Sequence, residues 1–247
     1  MNTKVLVAAI LGILAGLVAG FTIANSINRS EINSLRGQVE QSKKPASNTS
    51  STGDGFTIGD DELKAKIAEA DANPQNLAYQ KNLGRALYRY ATMKNDTALL
   101  DESLRILTRA NSLDPKDYEV LVDFGNAQFD VGYFKKDAEA LKKARDIYEQ
   151  ALEVKPNDAD VRTDLAISYL LDNTPDTNKA IDEFHQALKA NPKQERALAF
   201  LTQAYMQVGN WADAAKSLES LKAANPKNDR IDELSTQIAN KQVPTVK

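Results

Sequence analysis

The stretches LTRANSLDP (residues 107–115), YEQALEVKP (148–156), FHQALKANP (184–192) and LESLKAANP (218–226) read alike: an apolar helical stripe interleaved with small residues, closed by a proline. Pro74 precedes them, and the intervals from Pro74 through Pro115, Pro156 and Pro192 to Pro226 are 41, 41, 36 and 34 residues. Recurrence at this length marks a chain of stacked units, each burying its apolar face on its neighbour.

A second periodic run stands ahead of each proline-ended stretch. In the last unit, ERALAFLTQAYMQVGN (195–210) is followed by WADAAKSLESLKAANP (211–226). Two helical runs separated by a break predict a helical hairpin. Gly209 supplies the backbone freedom that ends the first helix, and Pro226 cannot donate the bond that would continue the second.

The slots inside the hairpins resemble those of the tetratricopeptide repeat, whose period is 34 residues and whose signature is Leu-Gly-x-x-Tyr followed by Ala, Phe, Ala and Pro. The first pair falls at Leu83-Gly84, Phe124-Gly125, Leu165-Ala166 and Leu201-Thr202, and the next large residue at Leu87, Gln128, Tyr169 and Tyr205. The small-large-small series of the second helices is Ser103, Leu107, Ala110; Ala144, Tyr148, Ala151; Ala180, Phe184, Ala187; and Ala214, Leu218, Leu221. Gln128, Thr202 and Leu221 depart from the pattern. The resemblance implies an all-α fold, an α-solenoid of four hairpins with units at 77–117, 118–158, 159–194 and 195–228. A capping helix is expected within 59–76 and another within 229–247, because an open stack must cover its apolar ends. The first two units exceed the 34-residue period by seven residues, placed between their helices around 91–104 and 133–143. Such a length adds two helical turns and keeps the packing face.

Once the signature residues are assigned to packing, each first helix retains a second face at i, i+4, i+7 and i+8. In the family it resembles, this face lines a peptide-binding groove. The expected lining is Lys81, Arg85, Tyr88 and Arg89; Val122, Asn126, Phe129 and Asp130; Thr163, Ile167, Leu170 and Leu171; and Ala199, Gln203, Met206 and Gln207. Such a groove is basic and aromatic at one end and apolar at the other, which fits a peptide with acidic groups at one end and aliphatic side chains at the other. The alternative is that the apolar members pack against the next unit and the basic ones are solvated. A clamp for a C-terminal carboxylate, known in this family, is disfavoured. Lys81 matches its first position, but Arg85 stands where Asn is required, and Asp123, Asp160 and Asp164 stand where amides or cations are required.

The chain is 247 residues long, 42% hydrophobic, with 31 basic against 34 acidic residues and a net charge of −3. That balance provides no footprint for nucleic acid. With no cysteine, disulfides, thiolate metal sites and thiol catalysis are excluded. The single histidine, His185, sits beside Phe184 and reads as a surface residue. No nucleophile, base and oxyanion donor converge, so no enzyme, cofactor or metal site is expected.

Residues 5–24 carry no charge and one polar residue, Thr22. At 1.5 Å per residue, about 20 residues span a ~30 Å hydrocarbon core, so a single N-terminal transmembrane helix within 1–28 is the leading reading. A cleaved signal sequence is its rival. Gly12, Gly16 and Gly20 share one helix face and form small-xxx-small motifs, which permit a homodimer through the membrane helix. Residues 29–40 continue as a short amphipathic stalk, with Ile32, Leu35 and Val39 at helical spacing, and 41–58 have linker composition. Charge counting places the array on the cytoplasmic side, whereas the signal-anchor layout places it on the extracytoplasmic, periplasmic side, and the second reading is preferred.

These features predict a membrane-anchored scaffold or adaptor that holds a protein or peptide partner. A second expectation rests on architecture alone: the chain resembles the membrane-tethered tetratricopeptide accessory subunits of bacterial cytochrome c maturation, which present apocytochrome to a haem lyase.

Overall fold

A computed structural model describes residues 59–243. The apolar run, Gly12, Gly16, Gly20, the stalk and the linker lie outside the described residues. Among the described residues, no helix is long and apolar enough to cross a membrane. Ten helices form there and no strand: α1 (Asp60–Ala72), α2 (Leu77–Lys94), α3 (Thr97–Leu113), α4 (Tyr118–Lys135), α5 (Ala138–Val154), α6 (Ala159–Leu170), α7 (Thr177–Ala190), α8 (Glu195–Gln207), α9 (Trp211–Ala224) and α10 (Ile231–Ala239). The chain divides into two compact units, Met1–Ile106 and Leu107–Lys247, with the boundary inside α3.

The recurring prolines have a definite geometric task. At each one the preceding residue's carbonyl accepts from the amide three positions on: Asn73 from Asn76, Asp114 from Asp117, Lys155 from Asp158, Asn191 from Gln194 and Asn225 from Asn228, at 3.1–3.3 Å. Proline therefore sits second in a β-turn, where its fixed φ is already correct. The residue before it is pushed out of the helical region, which ends the helix. The last turn residue then caps the next helix: the Asp117 carboxylate accepts from the amides of Glu119 and Val120, that of Asp158 from Asp160 and Val161, and the Gln194 side chain from Arg196.

The other end of the hairpin is closed by a second device. Asn95, Lys136 and Gly209 take positive φ of 52°, 54° and 72°. The next residue's amide reaches back to close the helix: Asp96 to the Ala91 carbonyl, Asp137 to Gly132 and Asn210 to Tyr205, at 2.8–2.9 Å. These are Schellman ends, and they satisfy carbonyls the helix would leave open. The same Asp96, Asp137 and Asn210 cap the following helix through their side chains. One residue thus terminates one helix and starts the next, which leaves links of two residues at 95–96 and 136–137 and of three at 208–210. Unit three differs. Its link, 171–176, is held by Arg145, which donates to the Ser168 carbonyl and the Asp172 carboxylate and stacks on Tyr169, and by Asn173, whose amide donates to the Lys136 carbonyl.

The extra seven residues of the early units are helix on both legs. α2 and α4 have 18 residues against 13 in α8, and α3 and α5 have 17 against 14 in α9.

In the second unit α4 packs on α5, α6 on α7 and α8 on α9, while α5 meets α6, α7 meets α8, and α10 closes the end against α8 and α9. The expected slots fill its core. Ala144, Tyr148 and Ala151 join Leu121, Val161 and Leu165; Ala180, Phe184 and Ala187 join Ala166, Leu170 and Leu201; Ala214, Leu218 and Leu221 join Leu198, Met206 and Leu234. Small residues on facing helices allow close approach, and the large ring between them fills the space. The departures fit as well: Leu221 is fully buried, and the buried Thr202 hydroxyl donates to the Leu198 carbonyl of its own helix. In the first unit, Ala70 of α1 packs with Tyr79 and Leu87 of α2 and Ile106 of α3. Ser103 is buried there, its hydroxyl donating to the Gly84 carbonyl at 2.9 Å.

Candidate functional site

The residues expected to line a groove separate by unit and by burial. Lys81, Arg85, Tyr88 and Arg89 belong to α2 in the first unit, with the three cations half-buried and Tyr88 at 8% exposure. In the second unit Asn126 accepts a hydrogen bond from the Tyr148 hydroxyl at 2.9 Å. Phe129 packs against two core clusters and stacks on Tyr133, and Asp130 is half-buried beside it on α4. The apolar end is different from the expectation. Ile167 (4%), Leu170 (0%) and Met206 (0%) are core residues, closed off between hairpins, and they present no surface to a peptide. Burial of three such side chains stabilises the stack by about 2 kcal/mol each, more than an exposed groove position would return.

The first helices α4, α6 and α8 instead carry a polar ladder nearer their N-terminal ends. Tyr118 donates its hydroxyl proton to Asp158 at 2.5 Å, and the Lys155 ammonium lies 3.6 Å from the centre of the Tyr118 ring. The Gln194 amide donates to Asp160 at 2.5 Å. Arg196 pairs with Asp164, with side-chain exposures of 27% and 14%. Farther on, the Arg230 guanidinium lies over Phe200 at 4.9 Å, and Phe200 stacks on the buried Phe184. Each rung joins positions 32 to 40 residues apart in sequence, save the last.

Three carboxylates, Asp158, Asp160 and Asp164, gather there against the guanidinium of Arg196. Burial, then Asp158 and Asp164, pushes the Asp160 carboxyl above its usual range. Burial also raises Asp164, with Arg196 opposing. Burial works against the charge of Arg196, but Asp164, with Tyr148 and Asp160, outweighs it and holds the guanidinium above its ordinary value. The Tyr118 phenol is raised by burial and by its bond to Asp158. The first-helix face of this unit is therefore an electrostatically loaded strip where a cation is favoured and a carboxylate is not. Helical periodicity does not single out Arg196 and Phe200, because what distinguishes them is a partner on the neighbouring hairpin.

His185 is exposed, its Nε2 2.7 Å from the Tyr205 hydroxyl. Among the described residues no group of three His, Cys, Asp or Glu side chains is placed to hold a metal ion.

Residues 175–238, covering all of α7 to α9 and all but the last residue of α10, match the tetratricopeptide repeat family. The chain is 46% identical over 54 residues to cellulose synthase operon protein C of Escherichia coli strain K12, a stretch amounting to 22% of this chain and 5% of that protein. The same figures hold for the putative cellulose synthase operon protein C of Escherichia coli O157:H7, so the match spans about a twentieth of these curated relatives. Among solved structures, MamA protein is similar with a TM-score of 0.52 at 20% identity, covering 75% of this chain and 87% of that one. A MamA RS-1 double mutant gives 0.55 at 15% identity, covering 68% and 86%. The thermophilic protein TTC0263 of Thermus thermophilus gives 0.52 at 17%, covering 75% and 91%. At these identities the structures speak to the fold alone. With its hairpins, proline turns and packing slots, the described chain has a tetratricopeptide-like helical fold, and its residues 175–238 match that family's repeat.

Proposed function

We propose that the chain is a membrane-anchored adaptor whose first-helix face binds a protein or peptide partner, and that the second unit selects a partner segment carrying basic side chains. The carrying observation is the set of Asp158, Asp160 and Asp164, partly removed from water and faced by the guanidinium of Arg196. Asp160 accepts from the neutral Gln194, so its charge is solvated by that hydrogen bond but not neutralised by it. Arg196 offsets these carboxylates only in part, and a Lys or Arg delivered by a partner adds counter-charge there. The basic residues Lys81, Arg85 and Arg89 of the first unit suit acidic groups on a partner. The uncharged run at 5–24 supplies the anchor, and the signal-anchor layout sets the array on the extracytoplasmic side.

Affinity capture with the full-length chain in membranes tests the partner reading. Asp160→Lys abolishes capture while leaving the circular dichroism spectrum unchanged. Capture undiminished both in Asp160→Lys and in a Lys81/Arg85/Arg89→Glu variant sinks it. A topology reporter fused after Lys247 tests the orientation: activity of a periplasm-dependent reporter is expected, and activity of a cytoplasm-dependent one overturns it.

A further inference from the structure

The tip of the long hairpin formed by α4 and α5 carries an aromatic side chain that the fold does not use. Phe134 is 53% exposed, next to the residue that ends α4. It meets Tyr133 edge-on at 5.7 Å, and Tyr133 stacks on Phe129, which is packed into the core. The aromatic series therefore runs from the core to solvent along one helix and ends in the open. Lys135 and Lys136, next to it in sequence, and Lys142 and Lys143 of α5 are all exposed. Asp137 and Glu139 oppose them, giving a net +2 over residues 134–143. The Asp137 carboxylate also serves as the cap of α5, accepting from the Glu139 and Ala140 amides.

An exposed aromatic ring on a hairpin tip that carries four exposed lysines matches the interface of an anionic bilayer, where aromatic side chains settle at headgroup level and lysines meet lipid phosphates. The geometry points to the α4–α5 tip as a contact site for anionic membrane lipid. This inference rests on the reading of residues 5–24 as a membrane anchor, which supplies proximity. A chain held at the bilayer by that anchor meets lipid at a raised effective concentration, so a contact too weak to bind a free protein suffices. Docked in this way, the second unit is held in one orientation relative to the bilayer and its first-helix face is presented consistently to a partner.

The test uses the full chain reconstituted into phosphatidylcholine vesicles, with and without phosphatidylglycerol, and with lipids brominated near the headgroup as quenchers. The sole tryptophan, Trp211, is replaced by Phe, and single reporters are introduced as Phe134→Trp or Leu11→Trp. The inference expects emission at 134 to be quenched with phosphatidylglycerol, to recover when Lys136, Lys142 and Lys143 are changed to Glu, and to recover as salt shortens the Debye length from about 10 Å to about 3 Å. Quenching at 11 without quenching at 134 overturns the tip contact and leaves the anchor standing. Salt-sensitive quenching at 134 without quenching at 11 upholds the tip contact and overturns the anchor. Quenching at neither overturns both. A blue shift at 134 that grows with protein concentration in the absence of vesicles overturns the lipid assignment in favour of self-association.

Discussion

The backbone of Gly125 lies so close to the ring of Tyr148 that a Cβ at position 125 falls 2.7 Å from Cε1 and 2.8 Å from Cδ1. Tyr148 is buried and its hydroxyl is held by Asn126, so the ring is fixed at both ends. Alanine gains about 1 kcal/mol of helix propensity over glycine, but overpacking a fixed ring costs about 1–3 kcal/mol. Gly125→Ala is expected to destabilise by about 1 kcal/mol on that balance, read by urea unfolding. Gly132→Ala loses more, since its Cβ would meet the backbone nitrogen of Leu141 at 2.8 Å and backbone cannot rotate away. Restoration of Gly125→Ala by Tyr148→Leu confirms the cause. A Gly125→Ala protein as stable as the wild type refutes it.

Lys136 holds the left-handed conformation at φ 54° in the position that Gly209 fills in the last hairpin. An L-residue with a Cβ loses about 1–2 kcal/mol there, and glycine avoids most of that cost. Lys136→Gly is expected to stabilise by about 1 kcal/mol, and Gly209→Ala to destabilise by a similar amount. Thermal unfolding of the pair gives shifts of opposite sign. Shifts of the same sign contradict the assignment.

Most of the fold is legible in the sequence because the residues that define the repeat are the residues that do the packing. Ala180, Phe184 and Ala187 recur at a spacing only a close helix pair needs, and all three are fully buried. The β-turns are legible for the same reason, since proline permits few alternatives. The groove is harder to place. On α6 and just beyond it, Ile167, Leu170 and Leu171 run around the helix, and periodicity does not distinguish a side facing the next hairpin from a side facing a ligand. Asp160 and Asp164 read as ordinary solvating charge until Gln194 and Arg196, 34 and 32 residues away, are seen beside them. Gly209 announces a helix end, whereas Lys136 performs the same task without any local signal.

Burial of Met206 and Ile167 predicts the phenotype of their loss. Large-to-alanine changes at fully packed sites cost about 2–5 kcal/mol. Met206→Ala and Ile167→Ala are therefore expected to lower the unfolding midpoint markedly, and any loss of partner capture should follow the unfolded fraction. Lining residues behave otherwise: they lose capture at full stability. An Ile167→Ala protein with wild-type stability and no binding would return that residue to the groove.

The carboxyl of Asp160 is raised above its ordinary value of 3.8, first by burial and then by Asp158 and Asp164. The folded state thus holds this proton more tightly than the unfolded state does. The contribution to stability is present below the usual carboxylate range and is lost as pH rises through the raised folded value. Asn at this position keeps an oxygen to accept from Gln194 and adds an amide that can donate to Asp158 or Asp164. Asp160→Asn is therefore expected to be more stable than the wild type at about pH 7 and nearly equal to it at about pH 3, by urea unfolding at each pH. An equal change at both values removes the electrostatic explanation. The same variant is expected to weaken partner capture, because the carboxylate that costs stability is the group a basic partner needs. Stability rising while binding falls is the signature of a strained binding residue, and a purely structural aspartate does not give it.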